Sequence, residues 1–250
     1  MGKGDLPFSL SGTWWCWTLI LLLSSCTQNR INAFVKMEGG RFVLDGKPFF
    51  PLVINYITDL QWSGDSCWAS SGHDYLNGGT YGPRTRNGAR LQLKSEFRLM
   101  RQMGFNAVRL GLAADPSFMP GTGKVMLHCR SGTGTDTLLA LEGPWEARYL
   151  DALDDLVDLA QEEGLKVILL LRMRPAERAF EEYAAHIVDH LRNNTGILAY
   201  DLFNEPLYFD IHDRPKHEVY EVVKRWRKLM KAHAPDQLMT IGLVGVPEVF

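Results

Sequence analysis

From residue 51 to 243 the chain alternates short apolar runs with helix-length amphipathic stretches, and this alternation limits the fold more than any other feature. The short runs are Pro51-Leu-Val-Ile-Asn-Tyr56, Asn106-Ala-Val-Arg-Leu110, Lys166-Val-Ile-Leu-Leu-Leu171, the stretch beginning at Ile197, and Leu238-Met-Thr-Ile-Gly-Leu243. Between them the apolar spacing is helical. Leu91, Leu93, Phe97, Met100 and Met103 mark one face of a helix over 90–103, closed by Gly104. Tyr149, Leu153, Leu156 and Leu159 mark another over 145–163, stopped by Gly164. Two more helices are predicted at about 176–193 and 217–233. Strands alternating with helices of this length mean parallel βαβ units. Five strands do not close a barrel of eight, so the pattern fits the front portion of a (β/α)8 barrel or an open doubly wound sheet. No Gly-x-Gly-x-x-Gly follows the first strand, as a dinucleotide fold would lead one to expect. The expected architecture is therefore α/β, a TIM barrel truncated after its fifth strand.

A hairpin precedes the first strand. Arg41-Phe-Val-Leu44 and Pro48-Phe-Phe50 flank Asp45-Gly46-Lys47, and Asp-Gly is a strong hairpin turn signal. Two long segments, 57–89 and 111–143, read as loops. The first is rich in Gly, Ser and Asn and carries Trp62, Trp68, Tyr75 and Tyr81. Loops of that length in a domain are usually functional. Gly121-Thr-Gly-Lys124 is not a phosphate loop, because Val125 replaces the required Ser or Thr and Phe118 stands where the upstream glycine belongs.

The 46% hydrophobic content allows a substantial core, and a net charge of -2 argues against a nucleic-acid partner. Near the N-terminus, Lys3 precedes the apolar stretch Trp14 to Leu23, which meets Leu23-Ser-Ser-Cys26. Ten residues span roughly 15 Å as a helix, about half of a hydrocarbon core, which suits a signal peptide better than a membrane span. Leu-Ser-Ser-Cys resembles a bacterial lipobox. The expectation is a lipoprotein signal peptide over 1–26, lipidation at Cys26, a tether over 27–37 and a partial (β/α)8 domain over 38–250. The protein would then be exported and held by its lipid at the bacterial outer membrane or cell surface. Within the folded part, Cys67 and Cys129 could pair in an oxidising compartment, and two free thiols fit equally well. There is no Cys-x-x-Cys and no His-Glu-x-x-His, so neither metal nor cofactor is indicated. Nothing in the sequence fixes an oligomeric state.

The chemistry concentrates at strand ends. Ile197-Leu-Ala-Tyr-Asp-Leu-Phe-Asn-Glu-Pro206 is a strand-like run halted by proline, which sets Asn204 and Glu205 at the strand's carboxyl end. In a (β/α)8 barrel that end is where active sites form. A carboxylate held there against apolar walls can act as a general acid. The same mouth would hold Asn55, Tyr56, Arg109, Arg172 and Arg174. A buried salt bridge, with Asp201 as candidate partner, is the alternative role for Arg109.

These segments together resemble glycoside hydrolases of clan A, most closely family 5, the cellulases, mannanases and relatives. The resemblance rests on Gly40-Arg-Phe-Val-Leu-Asp-Gly-Lys-Pro-Phe-Phe-Pro-Leu-Val-Ile-Asn55, on Gly104-Phe-Asn-Ala-Val-Arg109 and on Tyr200-Asp-Leu-Phe-Asn-Glu-Pro206, in that order and spacing. It implies an O-glycosyl hydrolase acting on β-linked oligo- or polysaccharides, endo-β-glucanase or mannanase-like, by a retaining two-carboxylate mechanism. It further implies Glu205 as acid/base, Asn204 as a hydrogen-bond partner of the sugar 2-hydroxyl, and Arg109 as a holder of the partner carboxylate. Asn55 and Tyr56 are expected to contact substrate, and Trp62 and Trp68 to offer stacking platforms. The family's nucleophile comes from a seventh strand, which this sequence does not reach. Where the family has a histidine near the end of its third strand, this chain has Leu170-Leu-Arg-Met-Arg174, which points to an unusual subfamily or an acidic sugar. The alternative is a non-catalytic surface glycan-binding lipoprotein. An esterase finds no support, since no Gly-x-Ser-x-Gly is present.

Overall fold

Turn chemistry builds the first element of the fold. Gly39 and Gly40 have φ of 56° and 76°, Asp45 and Gly46 51° and 72°, so both turns place two successive residues in the left-handed region, as tight hairpins favour. The turns join β1 (Lys36–Glu38), β2 (Arg41–Leu44) and β3 (Lys47–Pro48) into a small antiparallel sheet. The expected Asp-Gly hairpin is present, and the sheet also takes in Lys36 and Met37 from the expected tether. The structure, a computed structural model, describes residues 1, 33–72, 85–112, 117–118, 124–131, 136–171, 173, 178–204 and 216–242. Met1–Arg30 form a unit of their own, and the sheets and helices belong to the second unit, Ile31–Phe250.

The main sheet contains β4 (Val53–Ser63), β5 (Ser66–Ser71), β6 (Ala107–Leu112), β7 (Ser117–Phe118), β8 (Val125–Ser131), β9 (Asp136–Ala140), β10 (Lys166–Leu170), β11 (Ile197–Asn204) and β12 (Leu238–Gly242). The helices are α1 (Arg86–Gln102), α2 (Pro144–Glu162), α3 (Arg178–His190) and α4 (Lys216–His233). Strands β4, β6, β10, β11 and β12 lie side by side in chain order, every pair parallel. A doubly wound sheet reverses its strand order at a switch point. This one does not, and the arrangement is five consecutive strands of a (β/α)8 barrel, forming an open arc. Val108, Leu110, Val167, Leu169, Tyr200 and Leu202 face the helices and make the main core with Phe97, Tyr149, Leu153 and Trp226. On the opposite side Val35, Phe42, Leu44 and Phe49 of the small sheet pack on Ala107, Ile168, Leu198, Ala199 and Leu238, near the strands' amino ends. Lys166 ties this floor together, donating from Nζ to the carbonyls of Ala33 (3.1 Å) and Thr195 (2.7 Å). Burial lowers its pKa to about 8.

Two expected loops contain strands instead. β4 runs on to Ser63, turns at Gly64 (φ 56°) and pairs with β5, and β8 with β9 forms a second ribbon. Ser66-Cys-Trp-Ala-Ser-Ser71 has little intrinsic strand preference, but Leu60, Cys67 and Ala69 are buried in the core, and that burial decides its conformation. Helix α1 begins with Thr85 accepting from the Gly88 N–H, and ends at Gly104, φ 98°. Its buried face is Ala89, Leu93, Phe97 and Met100; Leu91 and Met103, expected on that face, are 62% and 64% exposed. At about 100° per residue Leu91 lies roughly 160° around the helix from Leu93, so only the other apolar positions meet the sheet. The face expected for α2 is buried throughout.

Cys67 and Cys129 are free and buried. β4 lies between their strands, so their Cα atoms stand about two strand spacings apart, roughly 10 Å. That exceeds the ~7 Å reach of a disulfide. Burial pushes both thiols up to about 12.

Candidate active site

Strand register assembles the site. Asn55 on β4 stands opposite Arg109 on β6, and both point away from the helix-packed core face. Arg109 reaches across to β11, where its Nε donates to Asp201 Oδ2 at 2.7 Å and its Nη2 to Asn204 Oδ1 at 2.8 Å. Its Nη1 lies 3.5 Å from Asn55 Oδ1. Asp201 is 2% exposed, and its second oxygen accepts from the Gly242 N–H at 3.2 Å. Burial pushes the Asp201 carboxyl above its ordinary range, while the Arg109 guanidinium and the Gly242 and Phe203 N–H groups pull it down. Arg109 thus forms the buried salt bridge to Asp201 and touches both candidate asparagines at once. Leaving either charge without its partner would cost about 3–5 kcal/mol.

Asp201 and Asn204 share a side only because β11 is irregular there. Asp201 pairs with Thr240 and Asn204 with Gly242, so three steps on β11 match two on β12. This is a β-bulge, a device that re-aims side chains beside functional sites. It turns Leu202 and Phe203 together toward the helices, where Phe203 stacks on Trp226 with ring centroids 6.2 Å apart. Strict alternation would have sent Asn204 to that side.

The other expected residues are not gathered here. Tyr56 follows Asn55 and so faces the opposite side of β4. It is 4% exposed, sets its ring edge against Phe97 at 5.6 Å, and shares its hydroxyl between Ser71 Oγ (2.9 Å) and the Glu96 carboxylate. Trp62 also faces the helices, edge-on to Trp145 at 6.4 Å. Trp68 shares the side of Asn55, since it pairs with Gln61, but at 4% exposure it offers no open ring to a sugar. Neither indole N–H has a partner among the described residues. Glu205, the residue after Asn204, lies outside the described residues, as do Cys26, Tyr75, Tyr81, Arg172 and Arg174. Among the described residues no group of three His, Cys, Asp or Glu side chains could hold a metal ion.

Sequence reasoning missed Gly242. A Cβ built there would lie 3.4 Å from Asn204 Oδ1 and 3.6 Å from Arg109 Nη2, so its bare Cα leaves room beside both groups. The signal for it was a glycine near the end of an apolar strand, which marks close approach.

The fold is similar to that of solved glycan-degrading enzymes. The endo-1,4-β-mannanase of Rhizomucor miehei superposes with a TM-score of 0.52 at 15% identity, covering 85% of this chain and 61% of the mannanase. The β-1,4-D-mannanase of Cryptopygus antarcticus gives 0.54 at 17%, covering 84% and 61%. A β-glucanase of Saccharophagus degradans in complex with cellotetraose gives 0.52 at 18%, covering 83% and 53%. The chain therefore spans between 53% and 61% of the length of these enzymes. No curated protein matches the sequence. The sequence profile of one family, described as cellulase (glycosyl hydrolase family 5), matches residues 68–245. With that match running through all but the first of the barrel strands, the chain belongs to glycosyl hydrolase family 5.

Proposed function

We propose that these five strands belong to a retaining glycoside hydrolase acting on β-1,4-linked glucan or mannan. The observation that carries the reading is the cluster of Arg109, midway along β6, with Asp201 and Asn204 toward the carboxyl end of β11, Glu205 being next in sequence. Among the described residues, the amide Nδ2 atoms of Asn55 and Asn204 have no hydrogen-bond partner. Such a surface suits a ligand rich in hydroxyl oxygens. In the proposed reaction Glu205 gives its proton to the departing glycosidic oxygen as a second carboxylate attacks the anomeric carbon from the other side. Glu205, now ionised, takes a proton from water as that water displaces the carboxylate. The second carboxylate stands about 5–5.5 Å from the first in retaining enzymes, and would come from a strand other than these five. Lipidation at Cys26, placing the enzyme on the envelope of a bacterium, belongs to the same proposal, and mass analysis of fatty acids released from that residue tests it.

The test of mechanism is Glu205→Gln in the protein carrying the complete barrel. Hydrolysis of cello- and manno-oligosaccharides should fall by about 10²- to 10⁴-fold. Aryl glycosides with acidic leaving groups should lose less in their first step, because departure there needs little protonation. Unchanged hydrolysis of the oligosaccharides would remove Glu205 from the acid/base role. Sugar binding without turnover in the unsubstituted protein would replace the hydrolase by a glycan-binding protein.

A further inference from the structure

Hydrogen-bond direction at the Arg109 cluster constrains more than the choice of residues does. A guanidinium donates and never accepts. The Asn204 atom 2.8 Å from Arg109 Nη2 is therefore the carboxamide oxygen, and the two Nδ2 protons point elsewhere. The orientation of Arg109 is itself dictated from below. Asp201 Oδ2 holds Nε at 2.7 Å, and Asp201 Oδ1 is held in turn by the Gly242 N–H at 3.2 Å. The Phe203 N–H also bonds this carboxylate. A buried carboxylate fixed by two strands cannot swing, so the planar fork that it grips keeps Nη2 aimed at Asn204.

We infer that Asp201 is a positioning residue, which acts through Arg109 to lock the Asn204 carboxamide with its N–H edge turned to the ligand. The hydroxyl that meets Asn204 then serves as hydrogen-bond acceptor. A Cβ at Gly242 would stand 3.4 Å from the Asn204 oxygen, in ordinary van der Waals contact, so the part this residue plays is the N–H that it gives to Asp201. This assignment of donor and acceptor rests on the glycan-binding reading. The relay from Asp201 to Asn204 does not.

The experiment uses the full chain labelled with ¹⁵N and ¹³C. The relay predicts a scalar coupling across the hydrogen bond from Arg109 Nη2 to the Asn204 carboxamide carbon, and its absence while the Arg109 N–H signals are resolved overturns the proposal without any variant. Asp201→Asn should speed solvent exchange of the Arg109 Nε–H and shift the Asn204 side-chain amide signals. Arg109→Lys keeps a cation for Asp201 but has no second nitrogen for Asn204, so it should shift the Asn204 amide signals while leaving the backbone N–H of Gly242 in place. Asn204 signals unchanged in Arg109→Lys would make the pair with Asp201 merely structural. Cellotetraose binding, read by calorimetry, should weaken about ten- to hundredfold in both variants. Failure of the unsubstituted chain to bind cellotetraose or mannotetraose, with the coupling present, would refute the ligand assignment and leave the relay standing.

Discussion

Replacing Glu96 with Gln should stabilise the protein at pH 8 and have a several-fold smaller effect at pH 5. Glu96 lies half-buried on α1, where Oε1 accepts from Gln92 Nε2 at 2.9 Å and the other oxygen meets the Tyr56 hydroxyl. Burial raises its pKa from the ordinary 4.5 to about 7. The folded protein therefore binds this proton more tightly than the unfolded chain does. The stabilisation linked to it is complete below pH 4.5 and is lost as the pH rises through 7. The interval from 4.5 to about 7 corresponds to at most about 3 kcal/mol. Partial exposure reduces this to about 1–2 kcal/mol through solvent screening. Glutamine imitates the protonated acid at every pH. It keeps an acceptor for Tyr56, and Gln92 can turn its own amide to accept from the new N–H group. Urea unfolding followed by tryptophan fluorescence at pH 5 and pH 8 measures the difference. A gap between variant and parent that is equal at the two pH values would refute the reasoning, because Glu96 would then carry no proton linkage.

Two further outcomes are expected. Burial of Cys67 and Cys129 should shield both from iodoacetamide in the native protein, with peptide mass mapping showing both alkylated after denaturation; a linked peptide pair would contradict the strand spacing. The Lys166 pKa is lowered to about 8 by burial, so its charge opposes folding below that pH, and stability should rise relative to Lys166→Met by at most about 3 kcal/mol between pH 8 and 10.5. Parallel stability profiles for the two proteins over that range would refute the reading.

The five parallel strands were legible because each is apolar, short and set off by a glycine or a helix-length stretch, as Gly104 and Gly164 show. Their order in the sheet follows from the same alternation. Arg109, Asn204 and Asn55 were legible as strand-end polar residues, and the structure brings the three together. Tyr56 was not, although strand parity alone forbids neighbours 55 and 56 from facing one side. Trp62 and Trp68 read as loop aromatics because Ser66–Ser71 lacks the residues that announce a strand. The packing of Trp62 on Trp145 depends on a helix distant in sequence, which no local pattern encodes. Leu91 was read as core from apolarity alone, and angular position around the helix would have separated it from Leu93, Phe97 and Met100; Met103 caps the helix beyond its last residue, Gln102.

The irregularity in β11 also lets the strand carry one buried apolar side chain more between Asp201 and Asn204 than a regular strand would. Leu202 and Phe203 stand between Asp201 and Asn204, and both are buried among apolar neighbours. Exchanging either for another large apolar residue would change volume and little else. Deleting one of them would leave two steps from Asp201 to Asn204, matching the two from Thr240 to Gly242, so strict alternation would keep both side chains on the Arg109 side. What the shorter strand would lose is one large apolar group from the core. In a library of variants, a single-codon deletion here should lower stability before it breaks the contact between Arg109 and Asn204.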